Sequence, residues 1–159
     1  MALTSEQLAT LKAAILADPV LAALPNTPDN NFTIAAAFNL PASPEFIVWR
    51  TSVEVASIMS NGFIWTVVDG LTAGKARIWD WMTRLGSINP SKPNIRQGIA
   101  DCWGAGSAQV TAILPHCKRP ASRAEALFAT GTGSDATPGT MGWEGALSYD
   151  DIGTARNLP

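Results

Sequence analysis

The chain's imidazole and thiol groups are few: His116, its neighbour Cys117, and Cys102. Thiolate catalysis needs an imidazole within hydrogen-bond reach of the sulfur. Successive helical residues point about 100° apart, so His116 and Cys117 are poorly placed for proton transfer. They read as a buried cysteine beside a surface or helix-end histidine. A zinc site takes about four ligands, and Cys102, His116 and Cys117 supply three at no recognised spacing. No metal and no cofactor is expected. A Cys102–Cys117 disulfide would close a loop of about 15 residues, worth on the order of 3 kcal/mol. Two cysteines without a leader pattern point instead to reduced thiols.

Phosphate chemistry has one candidate, the run Gly131-Thr132-Gly133-Ser134. A P-loop needs G-x-x-x-x-G-K-[ST] between a strand and a helix. Here no lysine follows and a helical pattern precedes. Residues 130–140 therefore read as a flexible or partner-contacting loop, without apolar side chains to offset the cost of ordering it. The nucleophile motif G-x-S-x-G is missing. The carboxylates fall mostly at helix caps or in turns, and no spaced pair stands out. No catalytic residue is assigned, and the chain is not expected to be an enzyme.

Six tryptophans are the unusual feature: Trp49, Trp65, Trp79, Trp81, Trp103 and Trp143. Most should be core residues, but tryptophan is also enriched at interface hot spots. Trp79 and Trp81 are two apart on a predicted helix and cannot share a face. If one faces the core, the other faces water or a partner. Trp79, Trp81 and Trp143 are interface candidates, together with Gly131, Thr132, Gly133 and Ser134.

The elements that must carry these residues are mainly helical. Thr4 and Gln7 form a capping box, with Leu3 and Leu8 placed as a hydrophobic staple. Leu8, Leu11 and Ile15 give the first helix its face, widened by Leu16, and Asp18-Pro19 ends it. Asp29 or Asn30 can cap a second helix with Phe32, Ile34, Ala35 and Phe38. The run 46–49 is short, apolar and rich in β-formers, and 63–68 could pair with it as a strand. Thr51 and Glu54 make a second capping box for a helix burying Val55, Ile58 and Met59, followed by a turn at Asn61-Gly62.

Thr72 caps a helix reaching about Leu85, with Ile78, Met82 and Leu85 on one face and Gly86 as its C-terminal cap. Ile95, Ile99, Cys102 and Trp103 mark the next helix, broken at Gly104–Gly106. Ser107 caps another, ended or kinked by Pro115. Ser122 and Glu125 form a third box, with Ala124, Leu127 and Phe128 facing inward. Met141 and Trp143 alternate like a half-buried strand, and Ser148 and Asp151 start a last helix. The expected fold is mainly α: a single compact helical domain over 1–159 with one or two short β segments and a C-terminal Gly-rich loop or arm.

A chain of 159 residues can bury a core without staples. Only 15% of residues are charged, well below the usual quarter or so, so a partner protein is expected to cover part of the surface. The net charge of −2 and the scattered basic residues give no general attraction to nucleic acid or anionic lipid. No apolar run approaches the roughly 18 residues of a membrane span. The opening MALTSEQLATLK lacks a basic region before an apolar run, which points to cytosolic production.

The opening LTSEQLATLKAAILADPVLAALPN, the stretch FIVWRTSV and the segment KRPASRAEALFATGTGSDATPGTMGWEGALSYDDI resemble a family of small tailed-bacteriophage proteins over nearly the whole chain. The family offers no catalytic residues to carry over. The resemblance implies a virion structural protein, a head-to-tail connector (adaptor) or tail subunit present as an oligomer. Its partners would be further copies of itself and other virion proteins, such as portal, tail or tail-fibre proteins. The contrasting expectation is a small phage-encoded enzyme or host-interaction protein, which would need a site these residues do not display.

Overall fold

The structure is a computed structural model describing residues 2–60 and 62–159. Among them the chain is mainly helical. In chain order the elements are α1 (Ser5–Ala17), α2 (Pro19–Ala22), α3 (Pro28–Asn39), β1 (Ile47–Trp49), β2 (Val53–Glu54) and α4 (Val55–Ser60). Then come α5 (Ala73–Arg84), β3 (Ser87–Ile88), α6 (Pro93–Trp103), α7 (Ala108–Ile113) and β4 (Lys118–Pro120). The last are α8 (Arg123–Phe128), β5 (Ala129–Thr130), β6 (Thr140–Met141) and α9 (Tyr149–Arg156). Short 3₁₀ turns occupy Trp65–Val67 and Leu114–Cys117. The described residues divide into two compact units, one of 1–48 with 120–159 and one of 49–119. The unit of 49–119 holds eight of the eleven Lys and Arg residues and five of the six tryptophans.

The first unit packs α1, α2, α3, α8 and α9 around Leu11, Ile15, Leu21, Ile34, Phe38, Trp143 and Ile152. Its helix starts are fixed locally. Thr4/Gln7, Ser122/Glu125 and Ser148/Asp151 each form a reciprocal capping box, satisfying backbone N–H groups that a helix start leaves unpaired. Asp18 ends α1 and caps α2, accepting from the Val20 and Leu21 N–H groups. Two sequence expectations change here. The cap of α3 is Thr27, with Pro28 at the first helical position, rather than Asp29 or Asn30. Leu16 does not widen the buried face of α1 but is exposed, as is Phe32, which stacks on Tyr149 with ring centroids 4.4 Å apart.

The second unit packs α4, α5, α6 and α7 around Val53, Ile58, Phe63, Trp79, Met82, Ile99, Cys102 and Ile113. Phe63, Trp79 and Trp103 form an aromatic cluster, with the Trp79 and Trp103 centroids 4.6 Å apart and edge-on. Ser107 caps α7 and Thr72 caps α5 as expected. The Thr51/Glu54 box does not set the start of α4. Val53 and Glu54 instead pair antiparallel with Ile88 and Ser87, and α4 starts only at Val55. Residues 65–67 form a 3₁₀ turn rather than a strand paired with 46–49. The Asn61-Gly62 turn signal involves Asn61, which lies outside the described residues.

Candidate functional site

The groups that could do chemistry are kept apart. Cys102 and Cys117 are free thiols, each buried. Burial pushes the Cys102 thiol up, and it pushes that of Cys117 up to about 11. A neutral, buried thiol is a poor nucleophile. The Cys102 Sγ lies 3.6 Å from the Lys75 carbonyl oxygen. His116 lies partly exposed in a cleft of about 310 Å³ with Arg50, Ser52, Glu54 and Ser57, while Cys117 is sealed in the core. The sequence neighbours thus fall on opposite sides of the surface. Among the described residues no group of three or more His, Cys, Asp or Glu side chains could hold a metal ion. No helix of the described residues is long and apolar enough to cross a membrane.

In the first unit, polar groups act as a lock. The Arg156 guanidinium donates to the carbonyl oxygens of Leu24 (2.5 Å) and Pro25 (3.3 Å) and to Asn31 Oδ1 (3.1 Å). Asn31, itself buried, donates to Asn26 Oδ1, and Asn26 donates to Asn157 Oδ1. These contacts tie α9 and the residue after it to the turn before α3 and to Asn31 in the first turn of α3. Arg123 adds a pair to Asp18 at 3.0 Å and lies over the Phe38 ring. Its hydrogen bond is the main cause holding the Asp18 carboxyl below its ordinary range.

The Gly-rich loop joins β5 to β6, which pair antiparallel as Ala129↔Met141 and Thr130↔Thr140. It therefore leads into a hairpin strand and not into the helix that a phosphate cradle requires. It also has packing of its own, contrary to the sequence expectation. The Ile47 N–H donates to the Gly133 carbonyl at 2.7 Å, and the Gly139 N–H donates to the Ile47 carbonyl at 2.8 Å. The Phe46 ring fills the space that side chains would need: a Cβ on Gly133 or Gly139 would lie 2.2 or 2.6 Å from it. Ser134 Oγ accepts from the Thr137 N–H, and the Thr132 and Thr137 hydroxyls bond to each other. Gly133 is buried, whereas Gly131, Thr132 and Ser134 are exposed.

The tryptophan candidates separate in the same way. Trp79 and Trp143 are 6% and 4% exposed and belong to the two cores, which withdraws them from any surface a partner could reach. Trp81 is 62% exposed. Sequence reasoning placed Ile78, Met82 and Leu85 on the buried face of α5. The buried residues are instead Trp79 and Met82, and Ile78 (37%) and Leu85 (66%) are exposed beside Trp81. At 100° per residue, Gly74, Ile78, Trp81 and Leu85 fall within an arc of about 60°. Nothing lies within 4 Å of where a Gly74 Cβ would be. The result is an apolar ridge of Ile78, Trp81 and Leu85, with the exposed Gly74 beyond one end of it. Its spacing of three and four residues was legible in the sequence; Trp65, 59% exposed on a 3₁₀ turn, had no such signal. No family model, curated protein or solved structure matches this chain.

Proposed function

We propose that this chain is a structural subunit of a tailed-bacteriophage particle, held in multiple copies in the head-to-tail connector or the tail. The observation that carries the reading is the apolar face of α5, where Ile78, Trp81 and Leu85 stand exposed on one side of a helix. Contiguous exposed apolar surface of this kind marks an interaction site, and a rigid tryptophan is the side chain most often found at the centre of one. The low charged fraction of 15% and the sequence resemblance to small phage proteins support the same role. Its partners in this reading are further copies of itself and other virion proteins. Mass spectrometry of purified particles should find the chain at a fixed multiple per particle. Finding it only in infected-cell lysate, and never in particles, would overturn the proposal.

A further inference from the structure

We infer that the cleft between the start of α3 and the outer face of α9 binds one pyranose ring of a carbohydrate. The cleft lies wholly within the unit of 1–48 and 120–159 and is independent of the α5 face. Its volume of about 310 Å³ suits one small ligand. Tyr149, Asp150, Gly153, Thr154 and Asn157 line one side. Their steps of one and three residues put them on a single face of α9, with the buried Ile152 and Ala155 on the other. Asn26 and Asn31 line the opposite side, and Asn31 is only 6% exposed.

The three asparagines form a chain of fixed direction. A guanidinium only donates, so the bond from Arg156 at 3.1 Å identifies the Asn31 acceptor as Oδ1. Asn31 Nδ2 then donates to Asn26 Oδ1, and Asn26 Nδ2 to Asn157 Oδ1, each at 3.0 Å. An amide nitrogen carries two hydrogens. Within the chain Asn157 Nδ2 uses neither of its two, and Asn31 Nδ2 uses one. Gly153 leaves the Asn31 amide uncovered, since a Cβ there would lie 3.3 Å from Nδ2. Arg156 alone already ties α9 to the turn through the Leu24 and Pro25 carbonyl oxygens. The amide chain adds donors of fixed direction at the cleft.

These donors and acceptors select the ligand. The Asp150 side chain makes no hydrogen bond or ion pair within the chain; its carboxylate accepts protons and repels an anionic ligand. It is the single carboxylate lining the cleft, whereas a calcium ion takes six or more oxygen ligands. An apolar ligand would leave the buried Asn31 donor unpaired. A pyranose meets every condition. Each of its hydroxyls both donates and accepts, so one can give its proton to Asp150 while receiving from Asn157 Nδ2. The Thr154 and Tyr149 hydroxyls, also without a partner in the chain, match the same pattern. Tyr149 adds apolar surface for the C–H face of the ring, and Phe32 stacks on it with centroids 4.4 Å apart.

The test is an NMR titration of the purified chain with glucose, galactose, mannose and N-acetylglucosamine in turn, and with sorbitol as an open-chain polyol that has no ring face. At least one of the four pyranoses should bind with a dissociation constant of about 1–10 mM, the range open to so small a ligand, and should shift the side-chain amide signals of Asn31 and Asn157. Sorbitol should not. Asp150→Ala removes a side chain that nothing in the chain uses, so the unfolding midpoint should hardly move while binding weakens roughly 5-fold or more, the scale of one lost hydrogen bond. Asn157→Asp keeps the oxygen that accepts from Asn26 and loses the outward donor, and should weaken binding to a similar degree. Gly153→Ala covers the Asn31 amide and should do the same. No shift with any of the four sugars up to about 100 mM, well beyond that range, overturns the inference. So do equal shifts with sorbitol, shifts confined to other parts of the chain, or wild-type binding by Asp150→Ala.

Discussion

The two units solve the same problem, closing a small helical core, with different chemistry. The unit of 1–48 and 120–159 ties its helix ends with capping boxes at Thr4, Ser122 and Ser148 and with the Arg156 and Arg123 contacts. The unit of 49–119 relies on large aromatic rings, Phe63, Trp79 and Trp103. It also leaves two buried donors, Trp103 Nε1 and Gln109 Nε2, without a hydrogen-bond partner among the described residues. Apolar exposure differs too. In the first unit Leu16, Val20, Phe32, Leu40 and Tyr149 come from different elements, and two of them stack on each other. In the second, three fall on one face of one helix. Scattered exposed apolar residues are ordinary on a protein surface, whereas a contiguous face marks a contact. Polar locking goes with the unit whose exposed apolar residues are scattered, and the apolar helix face is, on the proposed function, where the other unit would meet a neighbour.

The contrast breaks most sharply within α5. Trp79→Ala should destabilise the chain by about 3–5 kcal/mol, the cost of emptying a buried aromatic site. Trp81→Ala, two residues on, should change monomer stability by no more than about 0.5 kcal/mol. Denaturant unfolding at a concentration where the chain is monomeric checks both, and similar losses would mean that the ridge is part of the core. A pair of glycines sharpens the comparison between units. Gly133→Ala forces a Cβ into the Phe46 ring at a φ of +66° and should cost about 2–4 kcal/mol. Gly74→Ala meets open space and should stabilise the monomer by about 0.5–1 kcal/mol through helix propensity alone.

The smallest effect is electrostatic. The Asp18 carboxyl is held below its ordinary value of 3.8, first by the hydrogen bond from Arg123. A carboxyl lowered on folding adds stability that is fully present above its unfolded value and is lost as pH falls through the folded one. The stability gap between wild type and Asp18→Asn should therefore be constant near neutral pH and shrink as pH drops below about 4. A gap that stays constant down to the lowest pH at which the chain folds would remove Arg123–Asp18 from the lock.

What the sequence revealed is mostly what local chemistry decides. The Thr4, Ser122 and Ser148 boxes are closed by residues three apart, so their partners were visible in the string. Thr51 and Glu54 carry the same spacing, but Val53 and Glu54 are captured by a strand more than thirty positions away, a tertiary choice that propensity does not encode. The loop at 130–140 looked unsupported because its packing partner, Phe46, lies far earlier in the chain. The division into two units is marked in composition, since 49–119 holds eight of the eleven Lys and Arg residues and five of the six tryptophans, but the other unit is made of two separated stretches and so has no single boundary along the chain. On α5 the apolar residues cover two overlapping faces, Trp79/Met82 and Ile78/Trp81/Leu85. Periodicity finds both, and only the fold decides which one turns inward. That ambiguity hid the candidate surface in plain sight.

The most direct test of the central claim is competition for a place in the particle. Phage lacking the chromosomal copy would be complemented with equal amounts of wild-type chain and either Trp81→Asp or Phe32→Asp, and the particles purified and quantified by mass spectrometry. Both positions are exposed, so both variants should fold as wild type does. The account predicts that Trp81→Asp is strongly depleted from particles while Phe32→Asp enters in proportion to its supply. Equal incorporation of Trp81→Asp and wild type would contradict it, because the face of α5 would then contribute nothing to assembly.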